Sequence, residues 1–525
     1  MRRIISMAVL LTMIFSAACK KDKVYEDPYA GGKEPLGVTL STEIPNPSEA
    51  APGTVITFKG KGLLKHKDSL LFNFNGEPAE IVKVDSAGIQ VKVPVTASTG
   101  VTSVTIGNQI FFGPLFKVRG NLDIDNNYKV VVGANSWVSD VYRFADGRLL
   151  LVGDFLDYER KGIVRPISRI VLTSRDGEMD RSLQSGRGAD GSLNTIGALP
   201  NGKLVVGGSF ASYDIHQAEM HNITILNSNG SLDSMSVNTF TDKDTVPSFN
   251  GGTDGRINRV FVYNNRITAI GYFNYYLRFV YGQSDYLQER DSLITDSTLV
   301  RQLVRFHPDG SLDSSFNYDL VRHRSFDGAN GPISDAYQQP DGKIIIVGRF
   351  TRYNGQPAPY IARLNLDGSL DPGFGGSGAD NDIISIRYNA TTQRFVLAGN
   401  FDKFDGAAHS GLVMLKPDGT PDEQFHAATR ASNERYYCAQ QLSNGLIVVN
   451  GTFTSYDKVH RSGFMVLDQK GKLAPGYNNT ADFSGILVRV FETINSSGQT
   501  QALIMGQFSR FNNKEISNVV RLLFK

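Results

Sequence analysis

The string HQAEMH places His216 and His221 close together, the kind of pair that zinc chemistry uses. Zinc-dependent hydrolysis needs histidines at i and i+4 on one helix face, a third ligand and a glutamate base. Here the spacing is five and no third ligand is indicated, so the pair predicts no metal centre. Gly197–Lys203 (GALPNGK) carries the glycine and lysine of a phosphate loop. However, Leu204 stands where a Ser or Thr must meet the magnesium ion. Asp309/Asp313 and Asp367/Asp371 bring oxygens together. Calcium loops, however, need alternating ligands and a downstream glutamate, which are absent here. The other histidines are scattered, and no Gly-x-Ser-x-Gly elbow occurs. No catalytic set, metal site or cofactor follows from these residues.

The residues suited to recognition are aromatic and cationic. Trp137 is the sole tryptophan, and Tyr275, Phe279, Tyr281 and Tyr286 crowd the segment 274–300. Such rings stack on sugars or cap a peptide, with polar groups fixing orientation. The plainer reading is that the segment folds as a hairpin packing its rings inward, and that Trp137 only packs. Arg322, His323 and Arg324, with Asp327 nearby, form a charged cluster that either is solvated or lines a channel mouth. Asp190, Asp254 and Asp382 are the available carboxylates in comparable loops, within a repeated Gly/Asp-rich pattern.

These residues sit in a chain of 525 residues, too long for one ordinary domain. The net charge is +2, which Arg2 and Arg3 alone account for, so no basic excess calls for nucleic acid. After those arginines, Ile4–Phe15 is an apolar run too short to span a membrane. Ser16-Ala17-Ala18-Cys19 follows and matches a bacterial lipobox, which implies cleavage after residue 18 and lipidation of Cys19. Ordinary secretory cleavage is the alternative. No aspartate follows Cys19, so the outer membrane is the expected destination, facing either the periplasm or the cell surface. This leader resembles those of Bacteroidetes lipoproteins. The only other cysteine, Cys438, lies in a strand-like run and reads as a small buried hydrophobe.

Residues 19–35 read as a polar tether. Residues 36–118 hold short alternating strands (TVITFKG, SLLFNFNG, IQVKVPV, VTSVTIG) with an Asn75-Gly76 hairpin signal, and predict a small β-sandwich. Pro45, Pro52-Gly53-Thr54, Gly60-Lys61-Gly62-Leu63, Val93-Pro94 and Phe116-Lys117-Val118 resemble the IPT/TIG immunoglobulin-like family.

From about Gly120 the chain repeats. A Gly-x-Phe phrase followed by an aromatic occurs seven times, at Gly153, Gly208, Gly271, Gly348, Gly399, Gly451 and Gly506, with gaps of 51 to 77 residues. Each unit runs strand, Asp-Gly-type turn, apolar strand, loop, strand, and a second turn such as DGSLD at Asp367–Asp371. Four antiparallel strands in each of seven units predict an all-β chain: an Ig-like sandwich followed by a seven-bladed β-propeller over 119–525. The phrases resemble the delta-60 repeat propellers. The last unit ends where its DGSLD phrase is due, and Arg119–Asp123 (RGNLD) stands ahead of the first. Residues 119–132 are therefore expected to close the last blade. Arg169, Arg305, Arg363 and Arg521 recur in the third strand of their units and are expected to pair with the phrase's aspartates.

Because the turn phrases repeat, they are expected to build the scaffold. Recognition is expected on the opposite face, where loops vary in length. The leading functional reading is a lipid-anchored envelope protein acting as a non-catalytic binding or interaction module for glycans or partner proteins. The alternatives are a polysaccharide-acting hydrolase or lyase with its site at the channel mouth, and a structural spacer.

Overall fold

The computed structural model describes residues 36–162 and 167–525. The leader, Cys19 and the tether lie outside the described residues. Almost everything described is strand or turn. The one helical turn with a named span is a 3-10 turn at Leu63–His66, and no helix among the described residues is long and apolar enough to cross a membrane.

The N-terminal region differs from a pair of separate sheets. Its eight strands form one hydrogen-bonded series from Thr39–Leu40 to Glu49–Ala50. The strand Glu77–Val84 makes the series continuous. Its first residues pair with Phe72–Phe74, and its later ones pair with Ile89–Lys92. One strand thus turns the corner between two layers, and the sheet curls around Phe58, Phe72, Phe74 and Phe116. These rings sit edge-on or tilted, 4.8–5.8 Å apart.

Among the further antiparallel sheets of the described residues, seven begin with a first strand, the A-strand: Val138–Arg143, Ser192–Ala198, Arg256–Tyr263, Ile333–Gln338, Ile383–Asn389, Tyr436–Gln441 and Gly485–Ile494; the rest are hairpins and a small sheet beside them. Each A-strand pairs with a largely apolar, buried middle strand, such as Ile344–Gly348, and that with a third, such as Ile361–Leu364. Burial on both faces explains why the middle strands do not alternate. The seventh sheet has a fourth strand, Leu122–Ile124, which pairs antiparallel with Val519–Phe524. Residues of all seven A-strands line one cavity, so the sheets surround one axis, as in a β-propeller.

The repeated phrases explain how each sheet is held. The phenylalanine of Gly-x-Phe is buried in all seven units. In five units, the tyrosine that follows donates its hydroxyl to the glycine carbonyl of the second turn. These bonds are Tyr158 to Gly177, Tyr213 to Gly230, Tyr276 to Gly310, Tyr353 to Gly368 and Tyr456 to Gly471, at 2.5–3.1 Å. Gly368 sits at φ 80°, where a side chain would be strained. The basic residue at the start of the middle strand pairs with the last aspartate of the second turn: Arg148–Asp180, Lys203–Asp233, Arg266–Asp313, Lys343–Asp371 and Arg394–Asp422, at 2.7–3.1 Å. Arg305, Arg363 and Arg521 also reach such aspartates, at 2.7–2.8 Å. Arg169 does not. It lies one residue ahead of its strand at φ 69° and faces Asp154 at 3.7 Å. Arg521 binds Asp125, one residue beyond the closing strand, and not Asp123 of the RGNLD phrase, which pairs with Lys525. The amide of Asp125 bonds the Arg521 carbonyl as that of Asp371 bonds Arg363, so the phrase is shifted by two residues here.

The curled sheet rests on the sixth and seventh sheets. Asn479 is buried and bonds both main-chain groups of Leu122, while its carbonyl accepts from the Thr99 amide and hydroxyl at 3.1 and 2.7 Å. Asn75 reaches Asp482 at 3.0 Å, and buried Arg461 donates to the Thr96 carbonyl. Burial brings the Arg461 guanidinium down to about 10.

Candidate functional site

The axis is shaped by one irregularity repeated in every sheet. Val138 faces Gly153, but Asp140 faces Val152, so Ser139 is an extra residue in the A-strand. The same slip occurs opposite Gly208, Gly271, Gly348, Gly399, Gly451 and Gly506. This is why the repeated phrase needs its glycine. A Cβ at Gly153 would lie 2.0 Å from the Trp137 carbonyl oxygen, and one at Gly348 would lie 2.2 Å from that of Pro332. A bulge re-aims the residue that follows it. Here the residues after the bulges are Asp140, Thr195, Arg259, Asp335, Ser385, Cys438 and Arg489, and they form a ring around the axis.

Each bulge also frees main-chain groups, which the ring side chains use. The Asp140 carboxylate accepts from the Ile196 amide, and the Thr195 hydroxyl from that of Val260, both at 3.2 Å. Arg259 Nε donates to Asp335 at 2.8 Å, and Asp335 accepts from the Ile386 amide at 3.2 Å. Arg387, two residues beyond Ser385, also pairs with Asp335, and its far nitrogen crosses the axis to the Val488 carbonyl at 2.8 Å. Arg489 returns to Asp140 as an ion pair at 3.4 Å.

Three guanidiniums and two carboxylates thus meet at the axis, Asp335, Arg387 and Asp140 buried and Arg259 and Arg489 partly open to the cavity. Burial pushes the Asp335 carboxyl up, but Arg259 and Arg387 outweigh it and hold the group below its ordinary value. Burial alone would lower Arg387, yet Asp335 beside it leaves it raised. Asp140 draws Arg489 upward, but burial together with Arg387 and Arg259 leaves it lowered. Burial raises the Cys438 thiol, which argues against a reactive thiolate.

The ring separates two cavities. On the face of the first turns, a cavity of ≈ 580 Å³ is lined by Tyr337, Arg387, Tyr388, Asn389, Arg489 and Phe491, among others. On the loop face, a cavity of ≈ 450 Å³ is lined by Trp137, Ser139, Asp154, Asn194, Arg256 and Asn258, among others. Trp137 is half-buried at that mouth.

The other residues singled out from sequence lie away from the axis. Segment 274–300 forms a hairpin, Tyr275–Ser284 against Asp291–Leu299, on the third sheet's flank. Phe279 is buried and stacks on His221 at 4.4 Å, while Tyr281 is partly buried, its hydroxyl pushed up to about 12 by burial. Tyr286 is exposed at the tip. Tyr275 faces a separate groove of ≈ 620 Å³ beside Arg301, Asn330 and Arg352. Arg322, His323 and Arg324 occupy an exposed two-rung hairpin, with Arg322 near Asp319 at 3.6 Å, and they do not line either axial cavity. His216 binds Glu219 at 2.8 Å, so the two histidines have different partners. No group suited to a metal ion occurs among the described residues. The axial ring is the feature that sequence reading missed. Asp140, Thr195, Asp335 and Cys438 each stand thirteen residues ahead of their phrase's glycine, a signal in spacing rather than in residue type.

Comparison with known proteins finds a β-propeller family over part of the chain. A family described as "Domain of unknown function (DUF5122) beta-propeller" matches residues 294–316, 339–374 and 394–425, the phrase-bearing parts of the third, fourth and fifth sheets. A second domain of unknown function, DUF5008, matches residues 14–114. No curated protein matches the sequence. Among solved structures, the WD40 β-propeller domain of Doa1 is 13% identical, covering 77% of this chain and 97% of that one, with a TM-score of 0.42. A structural genomics protein of unknown function from Bacteroides thetaiotaomicron VPI-5482 is 10% identical. It covers 93% and 98% of the two chains, with a TM-score of 0.28. An auxiliary nutrient binding protein from Bacteroides ovatus ATCC 8483 is 11% identical, covering 68% and 95%, with a TM-score of 0.21.

Proposed function

We propose that this chain is a lipid-anchored envelope protein whose seven sheets are the blades of a propeller carried on an Ig-like domain. In this reading it is a binding module rather than an enzyme. The mouth on the loop face takes the ligand, a glycan stacked on Trp137. The observation that carries this is the lining of the ≈ 450 Å³ cavity: one half-buried indole beside the hydrogen-bonding side chains of Ser139, Asn194 and Asn258. Glycoside hydrolysis uses two carboxyl groups facing each other across the scissile bond. This lining holds a single one, Asp154, and its Oδ1 already accepts from Ser192 at 2.7 Å. The lipid anchor at Cys19 and an outer-membrane location belong to the same proposal and rest on the leader alone.

The test is a glycan array probed with the soluble body, residues 20–525. Trp137→Ala is expected to abolish the strongest signal, and Tyr275→Ala to leave it intact. A signal that survives Trp137→Ala but not Tyr275→Ala would move the site to the outer groove. Depolymerisation of any bound polysaccharide would replace the binding reading with the enzymatic one.

A further inference from the structure

The links around the axial ring are continuous from Arg489 through Asp140, Thr195 and Arg259 to Asp335 and the Ile386 amide. Across the arc from the fifth sheet to the seventh the link is made instead by Arg387, which donates to the Val488 carbonyl at 2.8 Å. Two polar atoms there, Ser385 Oγ and Arg387 Nε, are buried and have no hydrogen-bond partner, and Arg489 Nε, also buried, has only its ion pair with Asp140 at 3.4 Å. Unsatisfied buried groups are costly, and two of them beside a third held only by a long ion pair call for an occupant. The charge balance points the same way: among these axial groups, Arg259, Arg387 and Arg489 face only Asp140 and Asp335. Glu492 also lines this cavity, at the first-turn end, where it accepts from the amide and hydroxyl of Ser443 at 2.9–3.0 Å.

We propose that this arc is an anion site and that the cavity on the turn face takes a carboxylate-bearing, sugar-sized ligand. Arg387 Nε and Arg489 Nε belong to guanidiniums, whose planar forks suit a carboxylate. The cavity lining includes the Tyr337 and Tyr388 rings, packed against each other at 5.1 Å, and Phe491. In the same lining Asn389 and Thr391 are bonded within the protein, and Gln440 uses its amide nitrogen on the Gln441 carbonyl at 2.8 Å, which leaves its side-chain oxygen for a hydroxyl. A volume of ≈ 580 Å³ lies within the range of ~300–1,000 Å³ typical of small-ligand sites. An acidic sugar matches all three features: a carboxylate for the arginines, a ring face for the aromatics, and a hydroxyl for the Gln440 oxygen. This site lies across the ring from the mouth at Trp137 and does not depend on it.

The experiment is calorimetric titration of the full chain with D-glucuronate, and with D-glucose as its neutral counterpart. Glucuronate is expected to bind at least ~10-fold tighter than glucose, the scale of a charge-assisted hydrogen bond made in a buried site. Arg489→Gln is expected to weaken glucuronate ~10-fold or more. Ser385→Ala, which removes one hydroxyl and threatens the fold least, is expected to weaken it several-fold. Trp137→Ala is expected to leave it unchanged. Equal affinity for the two sugars, or wild-type affinity in both Arg489→Gln and Ser385→Ala, would overturn the proposal. So would loss of binding in Trp137→Ala, which would put the acidic sugar on the loop face.

Discussion

At the outer part of the sheets, five tyrosines do one job: each ties the second turn of its own sheet through a single hydroxyl. At the axis, seven equivalent positions hold Asp140, Thr195, Arg259, Asp335, Ser385, Cys438 and Arg489, no more than two of any type. The backbone treats both regions as repeats. The side chains do so only in the first. A residue recurring wherever the backbone recurs is explained by what every sheet needs. Where the same bulge presents different chemistry in each sheet, that need has been met by the backbone. The composition there answers to the neighbours across the axis and to whatever occupies it. The contrast separates scaffold from site without any appeal to relatives.

The sharpest way to break this comparison is to alter the ring where its members depend on one another. Asp335→Asn leaves Arg387 and Arg259 buried without their shared carboxylate. It is expected to cost about 3–5 kcal/mol in urea unfolding. Thr195→Val, at an equivalent position but holding one main-chain bond, is expected to cost about 1–2 kcal/mol. Similar losses in the two would mean that the ring is as uniform in energy as it is in backbone. Next in size is the bulge itself. Gly348→Ala would drive a methyl into the Pro332 carbonyl and is expected to cost about 3 kcal/mol, again by urea unfolding.

The outer rim should respond more gently. Tyr353→Phe removes the bond to Gly368 and strands a buried carbonyl, so a loss of about 1–2 kcal/mol is expected. Acid tests the same rim through Asp371. Burial pushes its carboxyl up, but the hydrogen bonds from Lys343 and the Gly373 amide, together with Arg363, bring it down to about 2. A folded-state value below the unfolded one stabilises the protein above about pH 4, and this contribution fades as pH falls towards 2. The stability gap between wild type and Asp371→Asn should therefore be full at neutral pH and close across that window. A gap that stays constant from pH 6 to pH 2.5 would show that the aspartate's charge plays no part.

Periodicity made the architecture legible. The glycine of Gly-x-Phe recurs because a bulge carbonyl lies against it, and a residue needed in every sheet leaves a trace that spacing reveals. The curl of the N-terminal region left no such trace. The strand Glu77–Val84 changes partners between Ala79 and Glu80, where its alternation is intact; the break comes only later, at the bulge between Ile81 and Lys83. Arg169 shows the limit of alignment by eye: an arginine near the right place belongs to the loop rather than the strand. The ring was hidden for the reason that makes it informative. Aspartate, threonine, arginine, serine and cysteine at one backbone position share no residue type, and the bulge that unites them is a three-dimensional fact. Aromatic enrichment in 274–300 pointed to an outlying hairpin, whereas the one tryptophan stands at the axial mouth.

The finest test concerns the fifth sheet, where Phe404 stands in place of the tyrosine and is fully buried. Its second turn ends in Gly419 at φ 92°, close to the geometry of the other turns. The lone pair that the other sheets give to a tyrosine is therefore left to weaker use here. Phe404→Tyr adds one oxygen along a direction that five sheets already accommodate, and is expected to raise stability by about 0.5–1 kcal/mol, read as a small rise in the thermal midpoint. The same change placed where no turn waits would bury an unpaired hydroxyl and lower the midpoint instead. Phe511 in the seventh sheet supplies that control, because its second turn is replaced by the incoming strand Leu122–Ile124. A gain at 404 with a loss at 511 would show that the clamp belongs to the turn it holds rather than to the sheet around it.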